Sequence, residues 1–157
     1  MCQQGVLMSE PVATNKKAWH NYFLTDKWEC GIELHGSEVK SIRAGEVNFA
    51  DAHVRIEDNE VWLYNLHIAP YAQASYLNTD PDRRRKLLMN RNEIKRLYDG
   101  LILKKLTCVP TKVYITARGL VKVEIALAQG KKLYDKRDDI KRRTSDRQMA
   151  RAVQRFR

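Results

Sequence analysis

Apolar and polar residues alternate most regularly near the end of the chain, where Val121, Val123, Ile125 and Leu127 are separated by Lys122, Glu124, Ala126 and Ala128. A period of two sends these sets to opposite faces of a strand, which predicts a greasy face on a core and a mixed face towards solvent. Trp28, Cys30, Ile32 and Leu34 repeat the pattern until Gly36-Ser37 breaks it. Residues 51–57 and 60–68 read as a hairpin about Asp58-Asn59, with Val54 and Ile56 inward on one strand and Trp62, Tyr64, Leu66 and Ile68 inward on the other. Residues 112–117 are predicted to pair with 120–127 about Arg118-Gly119, and 22–25 and 101–108 complete the strand candidates.

Helical signals are few. Ser37 as N-cap, Glu38 in the first turn, Val39 and Ile42 three apart and Gly45 as a stop predict barely two turns. Asn90-Arg91-Asn92-Glu93 is a capping box with Met89 and Ile94 at the staple positions, predicting a helix from about Arg91 to Asp99 that Gly100 ends. About six short strands and two small helices point to a mainly β fold, an antiparallel OB-like barrel over residues 15–130. Residues 1–14 lack periodicity and read as a flexible leader. Past Gly130 the alternation ends, and residues 131–157 form a basic tail.

Composition sharpens that division. A chain of 157 residues at 43% hydrophobic suffices for one domain with a core. Of the net charge of +10, residues 131–157 carry +7, from 11 Lys and Arg against 4 Asp. Such clustering favours a polyanion, either nucleic acid or an acidic membrane surface. No apolar run approaches the roughly 18 residues of a membrane span, and nothing resembles a signal peptide, so a cytoplasmic protein is expected. Cys2, Cys30 and Cys108 are odd in number without a C-x-x-C, which fits reduced thiols, the latter two in the core.

Catalytic patterns are lacking. His20, His35, His53 and His67 have no metal-ligand spacing, and neither a P-loop nor a G-x-S-x-G occurs, so no enzyme, metal or cofactor is expected. Glu29 and Glu33 share a strand face, but the simpler reading is that one is solvated and the other accepts from a base edge. The run from Asn15 to His20 sets two lysines beside an indole and an imidazole. It suits phosphate clamping and base stacking, or equally the start of a strand with solvated lysines. The tail has too few apolar residues to offset ordering costs of ~1–2 kcal/mol per residue, so it is predicted to be disordered when free. Asp135, Asp138 and Asp139 early, with Arg147, Arg151 and Arg155 late, favour a helix once a partner is met.

Several strings carry a resemblance that composition could not. Asn15-Lys16-Lys17-Ala18-Trp19-His20, Trp28-Glu29-Cys30-Gly31-Ile32, the ten residues from Gly36 to Gly45, the eight from Pro81 to Leu88, Val121-Lys122-Val123-Glu124-Ile125 and Gly130-Lys131-Lys132-Leu133-Tyr134-Asp135-Lys136-Arg137 follow in the order of the SmpB family, which the chain resembles. That resemblance implies an OB-like barrel that grips the tRNA-like part of tmRNA near its elbow and stands in for the missing lower half of a tRNA. It implies Asn15, Lys16, Lys17, His20, Glu29, Leu88 and Lys122 at or beneath the core RNA surface. It implies a tail, helical on the ribosome, that enters an empty mRNA channel with Gly130, Lys131, Lys132, Tyr134, Asp135, Lys136, Arg137, Lys141, Arg142, Arg143, Arg147 and Arg151. The implied partners are tmRNA, the 30S ribosomal subunit through its 16S rRNA, and elongation factor Tu and alanyl-tRNA synthetase through tmRNA, with no membrane and no cofactor. A general ribosomal or single-strand RNA-binding module is the alternative.

Overall fold

The structure is a computed structural model that describes residues 11–155, apart from the side chains of residues 75, 77, 133, 134 and 152–155. Its strands are β1 (Pro11–Thr14), β2 (Tyr22–Ile32), β3 (Val47–Asn48), β4 (His53–Glu57), β5 (Glu60–Tyr64), β6 (His67–Ile68), β7 (Arg85–Leu88), β8 (Thr107–Ile115) and β9 (Val121–Gly130). The helices are α1 (Lys16–Asn21), α2 (Gly36–Arg43), α3 (Arg91–Ile102) and α4 (Leu133–Arg155), with a 3-10 turn at Ala72–Leu77. All pairings are antiparallel, and β8-β4-β5-β7-β2-β9 closes on itself because β9 also pairs with β8. Strand β1 adds to β8 from outside, and β3 and β6 pair separately. Within the ring lie Cys30, Val54, Val61, Leu63, Leu87, Val113, Val123, Ile125 and Leu127. The buried Cys30 thiol is pushed up to about 12 by burial, and Cys108 is raised by the same cause, so both are inert.

Local signals with a specific backbone meaning reappear in the chain. Asp58 and Asn59 both take positive φ, 50° and 60°, as a two-residue hairpin turn of primed type requires. The nitrogen of Asn90 donates to Glu93 Oε2 at 3.2 Å, closing the expected box on α3. Other expectations shift. The first ten residues of the leader lie outside the described residues, but Pro11–Thr14 is a strand, since Val12 and Ala13 pack on the core while the backbone pairs with β8. Helix α2 starts at Gly36, two residues ahead of a helix capped by Ser37, because His35 N already donates to Glu38 Oε2 at 2.9 Å.

Helix α3 runs through Gly100. A Cβ there would stand 2.3 Å from Leu127 Cδ1, so this glycine lets the helix press onto β9 instead of ending it. Residues 101–106, expected to be extended, therefore finish the helix and a loop, and β8 begins at Thr107 and runs on to Ile115 across an irregularity at Pro110. On β5 the inward residues are Val61 and Leu63, whereas Trp62 and Tyr64 face out. Asn65 at φ 54° then slips the phase, which returns Leu66 and Ile68 to the core as expected. Ala126 and Ala128, expected in solvent, are buried, Ala128 in a small cluster with Ala18 of α1 and Val109; alanine is what allows so close a seat.

The basic tail forms α4, a single helix. Its sequence favours that geometry through strong helix formers and well-ordered charges, yet every side chain from Lys141 to Arg151 is exposed, so no packing supports that part of the helix.

Candidate RNA interface

Strand pairing assembles the outer face of β2, β9 and β8. Glu29 lies opposite Glu124, Lys122 lies opposite both Gly31 and Tyr114, and Lys112 lies opposite Glu124. Two carboxylates facing one another would repel, and cations intervene. The ammonium of Lys122 donates to Glu29 Oε1, while Glu124 meets Lys112 at 3.0 Å and Lys27 at 3.9 Å. The Lys122 ammonium and then the Tyr114 hydroxyl hold the Glu29 carboxyl below its ordinary value. At Glu124 burial works the other way, but Thr111 and Lys112 outweigh it and lower that carboxyl as well. Both are ionised acceptors at neutral pH. Around them three half-exposed lysines offer donors to phosphates.

Helix α1 borders this face. Asn15 is buried as its N-cap: Oδ1 accepts from Ala18 N at 3.1 Å, Nδ2 donates to Pro110 O at 2.9 Å, and its own nitrogen donates to Thr111 O at 2.7 Å. Asn15 therefore holds α1 against β8, and Lys16 and Lys17 project from that seat into solvent. His20 is half-buried with Nδ1 3.1 Å from Asn21 Oδ1. Trp19 lies under Lys27, whose Nζ is 4.3 Å from the ring centroid, so α1 and the sheet face share one continuous array. Leu88 stands one strand further on, opposite Gly31 and 55% exposed.

The tail starts from the same corner. Gly130 ends β9 opposite Tyr22, and Lys131 N donates to Asn21 O at 2.9 Å. The Lys131 ammonium donates to Trp19 O at 3.3 Å and to Asp139 of α4, and stands 4.8 Å from the Phe23 ring centroid. Only 6% of this side chain is exposed, so it fastens the tail and is not a free cation. Asp135 and Lys136 are half-buried, whereas Lys132, Arg137, Lys141, Arg142, Arg143, Arg147 and Arg151 are exposed. The Tyr134 side chain lies outside those described.

Lys27, Lys112, Tyr114 and Glu124 were absent from the residues marked for RNA in the sequence. Each outward position is legible by period two, but only knowledge of which strands are neighbours unites them. The run from Arg83 to Lys86 behaves otherwise. Arg85 is 0% exposed and gives hydrogen bonds to Glu38 Oε1 and to the carbonyls of Leu66, Arg83 and Pro81, while Arg83 reaches Glu38 Oε2 at 2.6 Å. Burial would raise the Glu38 carboxyl, but bonds from Arg83, His35 N and Arg85 hold it below its ordinary value. Among the described residues no group of His, Cys, Asp and Glu gathers as metal ligands, and no helix is long and apolar enough to cross a membrane.

Comparison with known proteins adds a source of identity. The family model described as SmpB protein matches residues 12–155. An SsrA-binding protein of Thermoanaerobacter pseudethanolicus is 57% identical over 132 residues, covering 84% of this chain and 84% of its own length. One from Symbiobacterium thermophilum is 54% identical over 144 residues, covering 92% and 91% respectively. Among solved structures, a chain from "tmRNA-SmpB: a journey to the center of the bacterial ribosome" superposes with a TM-score of 0.68 at 48% identity, over 79% of this chain and 87% of that one.

Proposed function

The chain belongs to the SmpB family, and from that membership we propose that it binds the tRNA-like domain of tmRNA and brings it to stalled ribosomes for trans-translation. The observation that carries this reading is the extent of the match, residues 12–155, which takes in the ring and nearly all of the basic tail. A relative named for SsrA binding and a structural neighbour named for tmRNA and the ribosome support it.

The chemistry of the outer face suits the first task. Lys16, Lys17 and Lys122 neutralise phosphates, Glu29 accepts from a base amino group, and Leu88 offers an apolar contact to a base. His20 adds a ring beside the lysines. Asn15 acts from beneath, by seating α1. In the second task the exposed cations of α4, from Lys132 to Arg151, bind 16S rRNA of the 30S subunit, and the tail reads an mRNA channel left empty. There the helix gains the contacts it lacks alone. Elongation factor Tu and alanyl-tRNA synthetase act through tmRNA, in the cytoplasm, and the protein itself carries out no reaction.

The RNA that copurifies with the tagged protein tests the reading. A single long RNA that accepts alanine is the expected result. Mixed mRNA and ribosomal fragments would instead point to a general single-strand RNA-binding module.

A further inference from the structure

A groove of about 770 Å³ runs between the β4–β5 turn, β7 and α3, and of its lining only Leu88 has a part in the function proposed above. Two of its lining side chains are apolar yet largely uncovered: Leu88 at 55% and Tyr98 at 50% exposure. Met89 and Ile94 also line it, and Arg91 and Lys95 complete the α3 side. Neither of these two cations has a hydrogen bond or ion pair among the described residues, whereas Lys86 on β7 is paired with Glu60. Asp58 and Asn59 put an acceptor and an amide on the opposite rim.

The groove also continues the candidate RNA face. Gly31 lies opposite both Lys122 and Leu88, so the step between them is bare backbone. A Cβ at Gly31 would stand 3.3 Å from Leu88 Cβ and narrow that path. An added peptide strand has no place here, because β5 is paired with β4 and β7, and β7 with β5 and β2. A groove with exposed apolar side chains and unpaired cations on one side fits a planar group carrying a negative charge.

We propose that this groove receives one unstacked nucleotide of the bound RNA, its base between Leu88 and Tyr98 and its phosphate against Arg91 and Lys95. The proposal rests on the tmRNA reading above. Stacking on one aromatic ring is tolerant of base identity, so the site secures the RNA more than it reads sequence.

The test is a binding titration of the full chain with the tRNA-like domain of tmRNA at several salt concentrations. Tyr98→Gln should weaken binding roughly five- to a hundredfold, and Tyr98→Phe should restore it, since the ring face and not the hydroxyl is used. Arg91→Ala with Lys95→Ala should flatten the log–log salt slope by roughly one to two units. These positions are exposed or half-exposed, and thermal melting confirms that the variants fold. If Tyr98→Gln and the double variant bind within about twofold of the parent chain while Lys122→Ala binds worse, the groove is empty in the complex and the proposal falls. If the parent chain itself fails to bind this RNA, the function proposed above falls, and the groove assignment with it.

Discussion

Residues 83–86 and 141–143 are both unbroken runs of Lys and Arg, yet Arg85 is wholly enclosed while Lys141, Arg142 and Arg143 all stand in solvent. The first run falls where α2 brings Glu38 and where the chain around Pro81, Arg83 and Leu66 turns its carbonyls inward, so the guanidinium of Arg85 finds acceptors on every side. The second run meets no acceptor of that kind, and its charge stays available to a partner. Cation count therefore says nothing of role until the acceptors within reach are known. A buried charge that is fully bonded belongs to the fold, and an exposed one belongs to the solvent or to RNA.

Removing one member of each run breaks the comparison most sharply. Arg85→Ala leaves Glu38 buried and short of partners, and should cost about 3–5 kcal/mol in urea unfolding. Arg142→Ala should change stability by less than about 0.5 kcal/mol. Equal losses would show that the two runs are held alike.

Next in size is a change to the tail backbone alone. Ala150→Pro should cost α4 ~3 kcal/mol, more than a hundredfold in a coupled folding and binding step, with charge unaltered. Ala150→Ser should be nearly silent. Peptide tagging on ribosomes stalled at a truncated message reads the difference, and affinity for the tRNA-like domain should be the same for both. Equal tagging would mean that the tail works as an unstructured polycation.

Acid sharpens the same contrast. The Glu38 carboxyl is held below its unfolded value, so it contributes stability that is fully present above the unfolded carboxylate pKa and is lost as pH falls through the folded one. Urea midpoints should decline through and below the usual carboxylate range, and Glu38→Gln should flatten that decline. A variant with the same acid profile as the parent would remove Glu38 from the account.

The smallest expected effect is at the sheet face. Lys122→Ala and Lys17→Ala should each reduce the salt slope of RNA binding by roughly one unit, with the fold unchanged by circular dichroism. An unaltered slope would place the phosphates elsewhere.

What the chain revealed in advance was local. The alternation from Val121 to Leu127, the turn at Asp58-Asn59 and the box at Asn90 each depend on a few neighbouring residues, and each is present. What it concealed depends on distant ones. Gly100 resembles a helix stop until Leu127 is seen against it, and Trp62 and Tyr64 share a period with Leu66 until Asn65 shifts the phase. The bonds by which Asn15, expected at or beneath the RNA surface, joins Ala18 to Pro110 reach 95 positions along the chain, and the carboxylate that claims Arg85 is 47 positions away. At the sheet face, Glu29 and Lys122 were singled out separately, and only the register of β2 on β9 joins them with Lys27, Lys112 and Tyr114.

Lys131 has a consequence for leverage. Its backbone and ammonium bind the start of the tail to α1, so that short helix also sets the bearing of α4. At 1.5 Å per residue the 23 residues of α4 reach about 34 Å from that pivot. A swing of about 10° at the pivot would carry the far end about 6 Å sideways, more than one helical pitch. If the tail reads an empty channel as proposed, aim counts as much as charge, and among the described residues Lys131 beside Trp19 helps to hold that aim.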